Sequence, residues 1–142
     1  MTNPAETSPL ELVAELHRRQ GAMYAGGSVD AVVELLAPDI VWHVPGGSSI
    51  AGDHRGVAQV VDYFEKRRRL ASATMRMRPG GVLAEGEGVA QFVEGTAVLG
   101  GEEASWQTIG VYRVDAERRL IREVWLVPLD GALFDRIWSG RR

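Results

Sequence analysis

Two side chains in this sequence are suited to proton transfer, the imidazole of His43 and the carboxylate of Glu123. An imidazole whose pKa is about 6.5 can accept and return a proton near neutral pH. A carboxyl group buried among indole rings has its pKa raised by desolvation, so Glu123 could orient the imidazole or act as an acid. We therefore predict His43 as a general base with Glu123 as its partner or as the acid. The structural alternatives are a loop or dimer contact for His43 and a salt bridge for Glu123.

Aromatic and polar residues elsewhere could form the walls of a binding site. Indole faces suit flat, apolar ligands, and a few hydroxyl or amide groups would orient them. The predicted substrate-binding residues are Trp42, Tyr63, Gln91, Trp106, Thr108 and Trp125. The alternatives are that Trp42 fills the core and that Tyr63 packs its ring with the hydroxyl exposed. Phe134 and Trp138 suit either a lid over the site or a hydrophobic clasp for the C-terminus.

The other histidines are assigned structural roles. His54 lies just before a predicted helix, where it and Asp53 could cap the helix N-terminus. His17 is adjacent to Arg18 and Arg19 and is predicted to lie on the surface. The three histidines lack the spacing of metal ligands, so we expect neither a metal site nor any other cofactor.

Composition narrows the range of functions. The 142 residues include no cysteine, which excludes disulfides, thiolate zinc sites and a cysteine nucleophile. The net charge of −3 argues against nucleic-acid and anionic-membrane partners, and the basic run 66–69 is short enough to be a solvated helix end. No segment has the roughly 18 apolar residues of a spanning helix, and residues 1–8 do not resemble a signal peptide. We expect a cytoplasmic protein.

Periodicity predicts helices in the first half of the chain. Residues 1–7 suggest a flexible tail, and 8–142 a single domain. Ser8-Pro9-Leu10-Glu11 is typical of a helix start, and Gly26-Gly27 of its end. A second helix should begin at Ser28 or Asp30 and end at Pro38. A strand over 40–44 and a third helix after Gly56 follow.

The second half of the chain indicates strands at about 73–84, 88–99, 104–114 and 119–128, with a last helix over 130–138. Short glycine- and aspartate-containing links between consecutive strands imply an antiparallel meander. Helices segregated on one face of such a sheet form an α+β architecture. Apolar residues occur at both strand parities, so the second face also needs a cover, which a second copy of the chain could supply.

Three stretches carry a family likeness: LLAPDIVWHVPG at 35–46 with AGDHRG at 51–56, GVYRVD at 110–115, and IREVW at 121–125 with Asp130, Phe134, Asp135 and Trp138 after it. Their order and spacing resemble the NTF2-like superfamily and, within it, the SnoaL-like polyketide cyclases, which are related to ketosteroid isomerases. The resemblance implies a cone-shaped fold in which a curved antiparallel sheet wraps around three N-terminal helices. It also implies a pocket at the open end and a homodimer.

The resemblance further suggests which strand positions face the pocket, unless a β-bulge inverts them. They are Gln91, Val93 and Gly95 on one strand, Trp106, Thr108 and Gly110 on the next, and Glu123, Trp125 and Val127 on the last. His43 is expected to point into the same hollow.

Known catalytic sets of this fold are incomplete here. Ketosteroid isomerases use Tyr and protonated Asp as oxyanion donors, and this chain has Arg19 and Gly110 at the matching positions. Epoxide hydrolases of the limonene type use an Asp-Arg-Asp set, where this chain has Val93, Gln91 and Trp125. Many SnoaL-like relatives have a His at the position of Gly110.

Two functional hypotheses remain. The first is cofactor-independent proton transfer, such as cyclisation, isomerisation or dehydration, on an apolar cyclic or polyketide-like molecule, as a SnoaL-like cyclase, isomerase or lyase would perform it. The second is a non-catalytic ligand-binding or dimerising module of the same fold.

Overall fold

The computed structural model describes residues 8–139, so the predicted tail at 1–7 and the last residues, 140–142, lie outside the described part. Four helices are present, α1 (Pro9–Tyr24), α2 (Asp30–Val33), α3 (Gly56–Ala71) and α4 (Gly131–Ile137). The strands are β1 (Leu36–Val44), β2 (Gly52–Arg55), β3 (Arg76–Glu85), β4 (Gly88–Leu99), β5 (Glu102–Asp115) and β6 (Leu120–Pro128).

Helix α1 begins where the sequence predicts it. The Ser8 side chain accepts a hydrogen bond of 3.1 Å from the backbone N–H of Glu11, and Pro9 occupies the first turn, where no N–H is needed. One face of the helix is buried, including Leu12, Leu16 and Met23. Burial of this apolar face fixes α1 against the sheet.

Two features around β1 differ from the prediction. Helix α2 is a single turn that ends at Val33, and Pro38 lies inside β1 instead of ending a helix. A proline is tolerated there because the pairing of β1 with β6 is interrupted between Leu36 and Val41. The sequence predicts a helix cap at Asp53 and His54, but both residues lie in the short edge strand β2. Its four residues are mostly exposed and include no apolar side chain, so they lack the usual strand signal.

The six strands form one curved, open sheet in the order β2-β1-β6-β5-β4-β3. Strands β3 to β6 pair antiparallel in sequence, which confirms the predicted meander and the α+β class. Strand β1 pairs parallel to β6, so the sheet as a whole is mixed. This parallel pairing brings the middle of β1 beside the middle of β6.

The helices cover one face of the sheet, which we call the inner face. Strand β5 shows the alternation clearly, because Trp106, Thr108 and Tyr112 are buried on this face. No helix of the described residues packs on the opposite, outer face, and its Phe92 and Val127 are 50% and 43% exposed. Within residues 8–139, no helix combines the length and the hydropathy needed to span a membrane.

Candidate active site

The predicted inward positions of β6 are wrong, because the strand contains a bulge. Counting alternate residues from the buried Ile121 places Glu123 and Trp125 on the inner face. The pairing of β5 with β6 leaves Arg122 as an extra residue, which shifts the register. Val124 therefore takes the buried inner position, and Glu123, Trp125 and the exposed Val127 belong to the outer face.

His43 also lies on the outer face, contrary to the expectation that its imidazole points into the hollow. Its neighbours Trp42 and Val44 are buried on the inner face, and successive side chains of a strand point to opposite faces. The imidazole stacks on the indole of Trp125, with 5.4 Å between the ring centroids.

The predicted contact between His43 and Glu123 is present, but it lies on the outer face. Together with Asp53 these residues join three strands, and we call the three residues the clamp. His43 Nε2 donates to Glu123 Oε2 and Nδ1 donates to Asp53 Oδ1, both at 2.7 Å. Desolvation alone would lower the pKa of His43, but the hydrogen-bonded carboxylates Glu123 and Asp53 outweigh it and raise that pKa. Because carboxylates only accept, both ring nitrogens are occupied as donors, and the imidazolium links β1, β2 and β6.

The other predicted wall residues do belong to the interior. Trp42, Trp106 and Thr108 line a cavity between the inner face, α1 and α3. Gln91 lies on the inner face opposite Gly110, as predicted, and its amide donates to the Gly80 carbonyl at 3.1 Å. The cavity has a volume of about 30 Å³, enough for one or two water molecules.

Helix α1 contributes a histidine to this cavity, although its charged neighbours in sequence predict it on the surface. His17 is 6% exposed, and its Nε2 is hydrogen-bonded to the hydroxyl of Tyr112 at 2.8 Å. Arg19, the residue matched to a catalytic tyrosine, instead forms hydrogen bonds with Glu15 and Glu34. The spacing 13-17-20-24 marks a buried helical stripe on which His17 falls, and this signal could have revealed it.

Burial determines the protonation of this pair. It lowers the pKa of His17 to about 4, because desolvation of the imidazolium outweighs the opposing contribution of the Gln91 side chain. Burial also raises the pKa of Tyr112. At neutral pH the cavity therefore contains an uncharged imidazole bonded to an uncharged phenol.

Two glycines make room for the aromatic side chains of the cavity. A Cβ at Gly110 would overlap the Tyr112 hydroxyl, and one at Gly95 would overlap the Trp106 indole. The Tyr112 hydroxyl thus fills the space above Gly110. In relatives, the resemblance implies a histidine at this position of the chain.

Helix α3 contributes an arginine to the cavity, although the basic run 66–69 predicts a solvated helix end there. Arg67 is 4% exposed and lines the cavity. Its Nη1 donates to the Tyr63 hydroxyl at 2.9 Å, so Tyr63 is buried with its hydroxyl bonded and not exposed. Arg67 follows Tyr63 by one helical turn, which places both on the buried stripe of α3.

The remaining candidates have structural roles. Phe134 and Trp138 are fully buried, and loop residue Ser49 donates from both its backbone N–H and its hydroxyl to the Trp138 carbonyl. They form the clasp and not a lid. His54 Nε2 donates to the Ile50 carbonyl at 3.0 Å and its ring stacks on Tyr63, whereas Arg55 occupies the helix cap. In the part of the chain from 8 to 139, no three His, Asp or Glu side chains are arranged to hold a metal ion.

Comparisons with known proteins agree with this architecture. The family model described as "SnoaL-like domain" matches residues 17–123. The uncharacterized protein Rv0034 of Mycobacterium tuberculosis is 30% identical over 127 residues, which cover 87% of this chain and 83% of that protein.

Solved structures with similar folds include two of particular interest. Bal32a, from a soil-derived mobile gene cassette, has a TM-score of 0.80 at 25% identity. The match covers 92% of this chain and 99% of the Bal32a chain. SalBIII, described as an epoxide hydrolase/cyclase-like enzyme in pyran ring formation in the polyether salinomycin, has a TM-score of 0.71 at 21% identity. That match covers 84% of this chain and 89% of SalBIII.

Proposed function

Since the chain belongs to the family of SnoaL-like domains, we propose that it is a small-molecule enzyme that carries out cofactor-independent proton transfer in the inner cavity. The reaction class is cyclisation, isomerisation or dehydration of a cyclic or polyketide-like substrate. The carrying observation is the buried, uncharged His17, which is hydrogen-bonded to Tyr112 at the cavity wall.

The His17–Tyr112 pair suits general acid–base catalysis. The Gln91 side chain lies near the ring, but no described residue makes a hydrogen bond of normal geometry to His17 Nδ1. With the proton on Nε2 donated to the Tyr112 oxygen, Nδ1 keeps a free lone pair that can take a proton from a carbon next to a carbonyl. The Tyr112 O–H then remains available to donate to the oxygen on which negative charge develops. A developing anion would raise the pKa of His17 and so strengthen it as a base.

Substrate entry requires the cavity to expand beyond about 30 Å³. Met75, Met77 and Leu126 line it, and methionine is unbranched, with several rotatable bonds, so it repacks at low cost. The rigid walls are the indoles of Trp42 and Trp106, which suit a flat ring.

The test is solvent exchange, which reports proton transfer without knowledge of the product. A panel of small cyclic ketones, enones and aromatic acids with acidic C–H groups is incubated with the protein in D₂O, and loss of the proton signals is followed by NMR. We expect exchange that falls at least a hundredfold in His17→Gln and is unchanged in the matched outer-face variant His43→Gln. Exchange that survives in His17→Gln would overturn the assignment.

The small cavity volume favours one other candidate, a ligand-binding module without chemistry. In that case, panel compounds that bind the cavity would undergo no exchange above the buffer rate. The same experiment therefore separates the two functions.

We also propose that a second copy of the chain covers the outer face. The exposed Phe92 and Val127 and the partly buried Ile109 and Trp125 form an apolar surface there. Light scattering should give the mass of a dimer at micromolar concentration, and Val127→Asp should shift it to that of a monomer. A wild-type monomer over the whole concentration range contradicts this proposal.

A further inference from the structure

The cavity contains a buried positive charge without a negative partner. Arg67 is 4% exposed, and among residues 8–139 no carboxylate oxygen lies within 4.0 Å of its guanidinium. A guanidinium stays protonated in proteins, and a buried charge is costly unless it is paired. His17 is neutral, and the other polar groups of the lining, Gln20, Thr108 and Tyr112, are uncharged. The lining as a whole therefore carries one positive charge.

Aromatic rings and the Tyr63 hydroxyl stabilise this charge, but they leave one N–H group of the guanidinium without an acceptor from the described residues. The guanidinium carbon lies 4.5 Å from the Trp138 ring centroid and 5.6 Å from those of Tyr24 and Tyr63. Such cation–π contacts are attractive, yet they offer no acceptor for an N–H group. In the described part of the chain, Arg67 Nε has no partner.

Two buried indoles carry further N–H donors without partners in residues 8–139. The indole nitrogens of Trp42 and Trp138 are buried and have no acceptor within the described residues. Trp42 lines the cavity, and Trp138 packs on the guanidinium. Buried polar groups without partners are rare in folded proteins. Two of these three donors, Arg67 Nε and the Trp42 indole N–H, belong to residues that line the cavity, and the Tyr24 hydroxyl beside Arg67 is unpartnered in the same part of the chain. An acceptor that enters the cavity would supply what the lining donors lack.

From this combination we infer that the cavity binds the anionic oxygens of its ligand at Arg67, and that the ligand is a small cyclic or aromatic carboxylic acid, or a ring whose enol oxygen is ionised. The inference rests on the proposed use of this cavity as the ligand site. A carboxylate matches the planar donor geometry of a guanidinium, and it neutralises the buried charge. The flat faces of Trp42 and Trp106 would then hold the ring. Arg67 is thus a specificity residue, which selects acids over neutral molecules of the same shape.

The experiment compares benzoate with benzamide, which has nearly the same shape but no charge. Binding to the full chain is measured by calorimetry at pH 7.5 in a buffer free of carboxylates, with tryptophan fluorescence as a second signal because Trp106 and Trp138 contact the site. We expect benzoate to bind at least tenfold more tightly than benzamide. Equal affinities, or no binding of either compound, would overturn the inference.

Variants on helix α3 then assign the preference to one residue. Arg67→Met should abolish the preference for benzoate, Arg67→Lys should retain part of it, and the exposed Arg69→Met should retain all of it. Undiminished benzoate binding in Arg67→Met would overturn the inference. If Arg67→Met does not fold, the contrast between benzoate and benzamide in the wild type still decides.

The outcome is separable from that of the proposed chemistry. Benzoate binding through Arg67 without proton exchange in the ligand panel refutes the catalytic proposal and supports the anion site. Exchange that depends on His17 while benzoate and benzamide bind equally supports catalysis and refutes the anion site.

Discussion

Acidification should destabilise this protein through His17, because its imidazole is buried without a negative partner. Burial lowers the pKa of His17 to about 4 in the folded state, whereas an imidazole in the unfolded chain titrates at about 6.5. Between these two values the unfolded state binds a proton that the folded state does not. The free energy of unfolding therefore falls as the pH drops through this window.

The size of the effect follows from the two pKa values. Single-site linkage between a folded pKa of about 4 and an unfolded pKa of about 6.5 gives a loss of about 2 kcal/mol between pH 7.5 and pH 5.0. The full loss, reached below the folded pKa, is about 3 kcal/mol. Such a change is a large share of the stability of an ordinary domain.

Urea denaturation of the wild type and of His17→Gln at pH 7.5 and pH 5.0 measures this loss. The variant keeps a side chain that can bond the Tyr112 hydroxyl, and all other acid-sensitive groups are common to both proteins. We expect the wild type to lose about 2 kcal/mol more than His17→Gln on acidification. Equal losses would refute the argument, because they would mean that the folded state accepts the proton on His17 as readily as the unfolded chain does.

Other substitutions test separate parts of the structure. The pH dependence of stability due to His43 has the opposite sign, because its raised folded pKa gives a stabilisation that is present at acid pH and lost as the pH rises. In urea denaturation, His43→Gln should therefore be more destabilised relative to wild type at pH 5.5 than at pH 8.5. An equal difference at the two pH values would contradict the stabilising role of the His43 contacts with Asp53 and Glu123. Gly110→Ala should displace the Tyr112 hydroxyl and reduce solvent exchange at least tenfold, whereas Gly81→Ala, which has open space around it, should not; full activity in Gly110→Ala would contradict the role of Tyr112. Trp138→Ala should cost about 3–5 kcal/mol of unfolding free energy because the indole is fully buried, and a loss below about 1 kcal/mol would show that the clasp contributes little to the fold.

Local signals predicted most of the fold. The start of α1 depends on Ser8 and Pro9, which act within one turn, and the meander depends on turns between consecutive strands. The inward positions of β4 and β5 were also predicted correctly, because their pairing runs without a shift from Gly88 to Leu99. Alternation is reliable wherever the register is unbroken.

The faces on which the candidate site residues lie were harder to predict, because each depends on the local structure at a single residue. The extra residue Arg122 inverts every later position of β6, and nothing in its side chain marks a bulge. The contact between His43 and Glu123 was predicted, although both residues lie on the face opposite to the one expected. The charged neighbours of His17 and Arg67 in sequence suggest an exposed position for both. The helical period, however, decides which residues of a charged run face inward, and it places both side chains in the interior.

Ligands are recognised, on this account, in the inner cavity at His17 and not on the outer face at His43. NMR of ¹⁵N-labelled histidine side chains at pH 6, with and without benzoate, tests it directly. We predict a neutral imidazole for His17 whose nitrogen signals move when benzoate is added, and an imidazolium for His43 whose signals stay fixed. A charged His17, or benzoate shifts confined to His43, would contradict the claim.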